Sequence, residues 1–209
     1  MFYCDFPVAS FILNMNELER LKQEIRRCSL CEPELPLGAN PVIRGNQSAK
    51  ILVAGQAPGI KVHKTSIPFN DASGVRLRQW LGINETVFYD EDQVAIVPMG
   101  FCYPGTGKSG DLPPRAECVK TWHRQLLALL PDIELILVIG QYAQNYHLKN
   151  RQKKNLTETV RAWQEYAPGI IPLPHPSPRN NIWLRRNPWF EQQVLPYIRG
   201  RVNELVSRP

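Results

Sequence analysis

Four short apolar runs, each cut off by glycine or proline, dictate how this chain folds. They are Ile51-Leu52-Val53-Ala54, Val94-Ala95-Ile96-Val97, Leu135-Ile136-Leu137-Val138-Ile139 and Ile170-Ile171-Pro172-Leu173. Runs this short, without polar alternation, suit strands covered on both faces, as in a parallel sheet. Between them, apolar residues recur at helical spacing. Val75, Leu77, Trp80 and Leu81 follow the first run; Val119, Trp122, Leu126, Leu129 and Leu130 follow the second; Tyr142, Tyr146 and Leu148 follow the third. Strand and helix alternate without an internal repeat, which predicts an α/β fold, a parallel sheet with helices on both faces. A length of 209 residues suits one such domain, residues 1–209. A hydrophobic fraction of 43% with five tryptophans places the chain among globular rather than disordered proteins.

In such sheets ligands bind outside the carboxyl ends of the strands. The first run ends at Gly55-Gln56-Ala57-Pro58-Gly59, where two glycines let backbone N–H groups approach a ligand. The candidate active site is therefore placed there. Pro68-Phe69 and Asp71 follow, just before the helix that starts near Ser73.

Elsewhere, Asn16 is placed to cap a helix reaching about Arg27, with Glu19 at the position of a capping box. Pro33, Pro36 and Pro41 exclude further helix, so residues 32–49 read as a long surface connection. Residues 103–115 (YPGTGKSGDLPPR) read as a long ordered loop, which in a compact domain is usually functional. A further helix is expected from Leu156 to Tyr166. The stretch from Ile182 to Val206 reads as helical, with a break at Pro188 and a kink at Pro196.

The net charge is +6, with basic residues spread over residues 61–64, 76–78, 149–154 and 179–186, which fits an anionic partner. No apolar run approaches the ~18–20 residues needed to span a bilayer. The first basic residue is Arg20, so the N-terminal stretch lacks the charged start of an export signal. The expectation is a cytoplasmic protein with reduced cysteines and no membrane contact.

Cys28 and Cys31 are two residues apart, and fifteen residues separate Cys102 from Cys118. Four thiolates from two remote places suit zinc or an iron–sulfur cluster, and a CxxC also suits a redox pair. Cys4 is left without a role. His175-Pro176-Ser177-Pro178-Arg179-Asn180 leaves the last strand at the sheet edge where Gln56 lies, stiffened by two prolines. There His175 can donate to a developing anion, and Arg179 can meet a phosphate. Phe69 offers a flat surface for a base. His63, His123 and His147 read as structural or surface residues. Gly105-Thr106-Gly107-Lys108-Ser109 is not a phosphate loop, because prolines rather than a helix follow it.

These residues together resemble the uracil-DNA glycosylase superfamily, and most closely its iron–sulfur branch, family four. The likeness rests on Cys28-Ser29-Leu30-Cys31, Gly55-Gln56-Ala57-Pro58-Gly59, Pro68-Phe69 to Gly74, Cys102, Cys118 and His175-Pro176-Ser177, in that order from Cys28 to Trp189. The resemblance implies a three-layer α/β/α sandwich with a central four-stranded parallel sheet. It also implies a structural 4Fe–4S cluster on Cys28, Cys31, Cys102 and Cys118, with zinc the less favoured alternative. Base excision by nucleotide flipping follows from it too.

Two departures stand out: Gln56 replaces an acidic residue of family four, and Pro98 replaces an asparagine. Glutamine cannot act as a general base, so Asp111 is expected to orient water, with Asp71 the alternative carboxylate. His175 would stabilise the leaving anion and Phe69 stack on the base. Gln56 and Ala57 would hold base or water beside Asp71 and Asn180, while Pro176, Ser177 and Arg179 grip DNA. The expected function is a monofunctional, monomeric glycosylase excising uracil from single- or double-stranded DNA, leaving an abasic site. The HPSPRN form resembles the branch that prefers single strands. The rival readings are a catalytically silent iron–sulfur protein that binds DNA, or a glycosylase for another modified base.

Overall fold

The computed structural model describes residues 16–108 and 110–207, so Cys4 lies outside the described residues. Its strands are β1 (Ile51–Ala54), β2 (Val94–Ile96), β3 (Thr106–Gly107), β4 (Gly110–Asp111), β5 (Leu135–Ile139) and β6 (Ile170–Leu173). The four apolar runs form one parallel sheet in the order β2-β1-β5-β6, with Ile51 level with both Val94 and Leu135. Pro172 is tolerated because β6 is an edge strand, where a missing N–H breaks no ladder. β3 and β4 pair as a small antiparallel hairpin apart from the sheet.

The helices are α1 (Glu17–Arg26), α2 (Ile60–Thr65), α3 (Ala72–Leu81), α4 (Glu85–Tyr89), α5 (116–128), α6 (Gly140–Leu148), α7 (Leu156–Arg161), α8 (Asn181–Arg186) and α9 (190–206). Alternate residues of β1 separate two cores, which makes the fold three-layered. Ile51 and Val53 pack with Leu77 and Trp80 of α3 and Ile198 and Val202 of α9. Leu52 packs on the other face, with Leu18, Leu21 and Ile25 of α1 and Leu126 of α5. Each such fully buried aliphatic side chain contributes roughly 1.5–3 kcal/mol. Among the described residues no helix is long and apolar enough to cross a membrane.

Several local expectations change. Asn16 caps α1 by accepting from Leu18 N–H, but Glu19 does not complete a capping box. It pairs instead with Lys22, at 2.6 Å, whose buried ammonium also needs Glu91 and the Gly45 carbonyl. The connection 32–49 is not wholly on the surface, since Leu35, Val42, Ile43 and Ala49 are buried. Arg44 exchanges backbone hydrogen bonds with Ile96 and so covers the open edge of β2. The helix expected to Tyr166 ends at Arg161 and gives way to a tight turn at Trp163–Glu165. Pro188 does interrupt the C-terminal helix, whereas Pro196 falls in the first turn after a wide π turn at Phe190–Val194.

The turn before α3 explains why Phe69 and Gly74 occur together. Phe69 has φ +54, a left-handed backbone that costs a non-glycine residue about 1–3 kcal/mol. Tyr89 donates to the Pro68 carbonyl at 2.9 Å, and Arg78 donates to the Phe69 carbonyl at 3.4 Å. The Phe69 carbonyl presses on α3 where Gly74 lies, so closely that a Cβ there would overlap the oxygen. Gly74→Ala is therefore expected to destabilise the fold by roughly 1–3 kcal/mol or more, because backbone cannot yield as a side chain does. Gly200→Ala, in α9 with nothing within 4 Å, should stabilise by about 0.5–1 kcal/mol. Urea unfolding midpoints of the two variants check both signs.

Candidate active site

A cleft of about 320 Å³ opens where β1, β2 and β6 end. The loop after β1 supplies Gln56, Ala57, Pro58 and Gly59, the turn before α3 supplies Phe69 and Asp71, and the β6 exit supplies His175, Ser177 and Arg179. Asp111 reaches in from the β3–β4 hairpin. Segments remote in sequence thus meet because parallel strands release their loops on one edge.

His175 is held as a neutral hydrogen-bond donor. Ser177 N–H donates to its Nδ1 at 3.2 Å, which places the ring proton on Nε2. Burial pulls its pKa below the ordinary value, opposed by the charges of Asp71 and Asp111. Asn180 Nδ2 donates to the His175 carbonyl at 2.7 Å and fixes the turn. Asn180 thus braces the turn and is not among the residues that line the cleft. Pro176 of the same turn is buried. Ser177 and Arg179 remain in the wall.

Asp111 is exposed, and its Oδ1 accepts from Thr106 Oγ1 at 3.2 Å; that hydroxyl lies 2.6 Å from Tyr103 OH. Its Oδ2 leans over Gly59, 3.6 Å from where a Cβ would stand. Across the hairpin, Arg179 packs on Gly110 so tightly that a Cβ there would lie 2.7 Å from Nη1. Gln56 serves this hairpin. Its Nε2 donates to the Leu112 carbonyl at 2.9 Å, so the amide nitrogen is committed to backbone rather than aimed at a base. Asp71 lines the cleft but also caps α3, its Oδ1 accepting from Gly74 N–H at 2.9 Å. That duty ties down one of its oxygens.

Sequence reasoning passed over Val42 and Val62, which wall the cleft, and the Tyr103–Thr106 pair behind Asp111. The turn residues Gly105, Gly107 and Gly110 around Thr106 were the available sign of a hairpin. Pro98 also lines the cleft, and its carbonyl is bound by His123 Nε2 at 3.1 Å. His123 is fully buried and stacked on Phe101 at 5.2 Å, with its pKa lowered to about 4 by burial.

The cysteines form a second locus. Cys28 follows α1, Cys31 precedes a tight turn at Glu32–Glu34, Cys102 follows β2 and Cys118 lies in α5. All four are free thiols, and Cys31, Cys102 and Cys118 are buried. Burial pushes the Cys102 thiol up to about 12 and Cys118 up to about 11, and in both cases the other cysteines nearby raise it further. Phe101 N–H donates to Cys118 Sγ at 3.4 Å, and the Asn40 backbone bonds Cys102. Among the described residues no three His, Cys, Asp or Glu side chains are drawn together tightly enough to hold a metal ion as they stand. The donor set itself, four cysteines of which Cys102 and Cys118 are met by backbone N–H groups, has the chemistry of a thiolate-bound cluster.

A family model of the uracil DNA glycosylase superfamily matches residues 42–199, and the chain belongs to that superfamily. Among curated relatives it is similar to proteins named type-4 uracil-DNA glycosylase. It is 29% identical to that of Sulfurisphaera tokodaii over 133 residues, which span 63% of this chain but only 58% of that protein. It is 25% identical to that of Saccharolobus solfataricus over 201 residues, 93% of this chain and 89% of the relative. The protein of Thermotoga maritima is 25% identical over 162 residues, 77% of this chain and 81% of its own.

The buried His123 makes stability depend on pH. Its ordinary pKa of 6.5 falls to about 4 in the fold, so its contribution is complete above pH 6.5 and is lost as pH drops through 4. The loss amounts to roughly 3 kcal/mol. His123→Phe, which keeps a ring against Phe101, is expected to flatten this part of the profile. Urea unfolding at stepped pH, wild type against variant, measures the difference.

Proposed function

We propose that this chain is a monofunctional DNA glycosylase that hydrolyses the N-glycosidic bond of uracil in DNA and leaves an abasic site. The observation that carries the reading is the neutral His175, its Nε2 proton free of Ser177, sharing one cleft with Phe69 and Asp111. Breaking C1′–N1 sends the bonding electrons into the base and leaves an oxocarbenium-like sugar. Each charge needs a partner. A neutral imidazole donating from Nε2 stabilises the base anion without first having to lose a charge of its own. The Asp111 carboxylate faces the sugar cation and orients the water that adds to C1′, with the released proton passing to the carboxylate or solvent. Phe69, stiffened by its own turn, is the platform on which the flipped base stacks.

Gln56 is better read as a support than as a reagent. By tying Leu112 it sets the height of the hairpin and so the reach of Asp111. Pro98 offers no side-chain hydrogen bond to a base edge, so recognition falls to backbone groups of Gln56–Gly59 and to His175. The lining residues include no lysine, which supports hydrolysis over Schiff-base lyase chemistry. The same two positions, Gln56 and Pro98, favour the rival reading of a protein that binds DNA without cutting it.

Cys28, Cys31, Cys102 and Cys118 are the residues that would hold a 4Fe–4S cluster. Its contribution is structural: four bonds tie the end of α1, the exit of β2 and the start of α5 together. The partner is DNA bearing uracil, and the HPSPRN turn suits a single strand.

The test is single-turnover cutting of a labelled oligonucleotide with one uracil, followed by alkali to break any abasic site. Asp111→Asn is expected to slow excision by two or more orders of magnitude, in line with loss of a positioned acid–base group. His175→Ala and Phe69→Ala should lose comparable amounts. An unchanged Asp111→Asn rate would transfer the role to Asp71, and tight binding without cutting by wild type would favour the silent reading. For the metal site, a visible charge-transfer band and about four irons per chain are expected, both lost in Cys102→Ser. A colourless protein holding one zinc would refute the cluster.

A further inference from the structure

Beyond the cleft, α3, α8 and α9 enclose a second concavity of about 800 Å³. Trp80, Leu184, Pro188 and Leu195 form apolar wall, while Arg76, Arg185 and Arg199 bring three guanidinium groups to it. Glu191 is the one carboxylate among the lining residues. None of these three arginines has a carboxylate oxygen within 4.0 Å among the described residues, whereas Arg44, Arg78, Arg115 and Arg201 each pair with glutamate. Arg76 Nη1 donates to the Ser177 carbonyl and Arg199 Nη2 to the Gln79 carbonyl, both at 3.1 Å. Those bonds fix the side chains and leave their charges uncompensated. Three like charges around one hollow repel one another, and an anion laid between them removes that cost.

The groove and the cleft share a wall. α3 lines the cleft with Ala72 and Ser73 and the groove with Arg76, Gln79 and Trp80. The β6 exit lines the cleft with Ser177 and Arg179, and continues into the groove at Asn181. Arg76 joins the two by holding Ser177. A chain of phosphates leaving the cleft over this turn therefore enters a basic trough with an apolar floor. That pairing of charged rim and apolar surface suits a nucleic-acid strand, whose backbone is anionic and whose sugars and bases are not.

We propose that this groove binds the phosphodiester backbone of the strand that carries the target nucleotide, outside the nucleotide held in the cleft. The proposal rests on the glycosylase reading for its direction, but its test does not need excision. Fluorescein-labelled thymidine oligonucleotides of increasing length are titrated into the full chain across a potassium chloride series. The comparison is wild type against Arg185→Ala/Arg199→Ala. For the longer oligonucleotides the double variant should bind about tenfold more weakly. Its slope of log affinity against log salt should fall by about 1.4, at about 0.7 per single-strand phosphate contact. The loss should fade as the oligonucleotide becomes too short to reach from cleft to groove.

Arg185→Lys/Arg199→Lys should restore most of the slope, and Glu191→Arg should steepen it, a gain that misfolding cannot produce. An unaltered slope, or an equal loss at every length, would overturn the groove. So would full competition by millimolar inorganic phosphate, which would make it a small-anion site. Uracil excision by wild type with no length-dependent loss in the variant would sink this inference alone. Length-dependent loss without any excision would keep the groove and sink the glycosylase.

Discussion

The backbone ladder does not stop where β1 and β2 end, and the site depends on that continuation. Val97 N–H donates to the Val53 carbonyl, Met99 N–H to Gly55 and Gly100 N–H to Gln56, at 2.9–3.0 Å. The loop that forms the cleft floor is therefore an extension of the sheet rather than a free connection. A buried backbone bond in this setting is costly to break, because both of its groups would be left without water. Gln56, Ala57 and Pro58 inherit the rigidity of the core beneath them.

Each side chain to which the proposed mechanism gives a task is in turn held by backbone. Phe69 is pinned through its own carbonyl by Arg78 and the close passage of Gly74. His175 is oriented by Ser177 N–H and Asn180, and Asp111 by Thr106 and by the hairpin that Gln56 ties. Such pre-arrangement lowers the reorganisation needed when charge develops in a transition state. Strain at Phe69 and burial at His175 are the local costs, offset by the two cores on either face of the sheet.

The sheet was legible in the sequence because parallel strands buried on both faces must be apolar at every position, and the four runs are. The motifs of the resemblance were equally legible, and the family match covers most of the same span. What escaped were matters of partner choice. Glu19 sat at a capping-box position, yet the buried Lys22 claimed it. The proline-rich connection after Cys31 looked exposed, but Val42 and Ile43 alternate inward once Arg44 pairs with β2. Pro176 and Asn180 lay in the right motif, and only the turn itself decided that one is buried and the other bonds to its own chain. Gln56 was visible as a substitution, but the carbonyl it would bind was fifty-six residues away.

The hairpin that carries Asp111 belongs to neither core. It hangs from the body by the Gln56 amide and by the packing of Arg179 on Gly110, while Leu112 N–H on the Gly105 carbonyl closes its own base. Its residues can thus be exchanged with little effect on what holds the sheet together. The placement of the Asp111 carboxylate and the stability of the sheet thus rest on separate stretches of chain, and the first can be altered without touching the second. Gln56, one residue past the β1 run and its closing glycine, is the pin that joins the two.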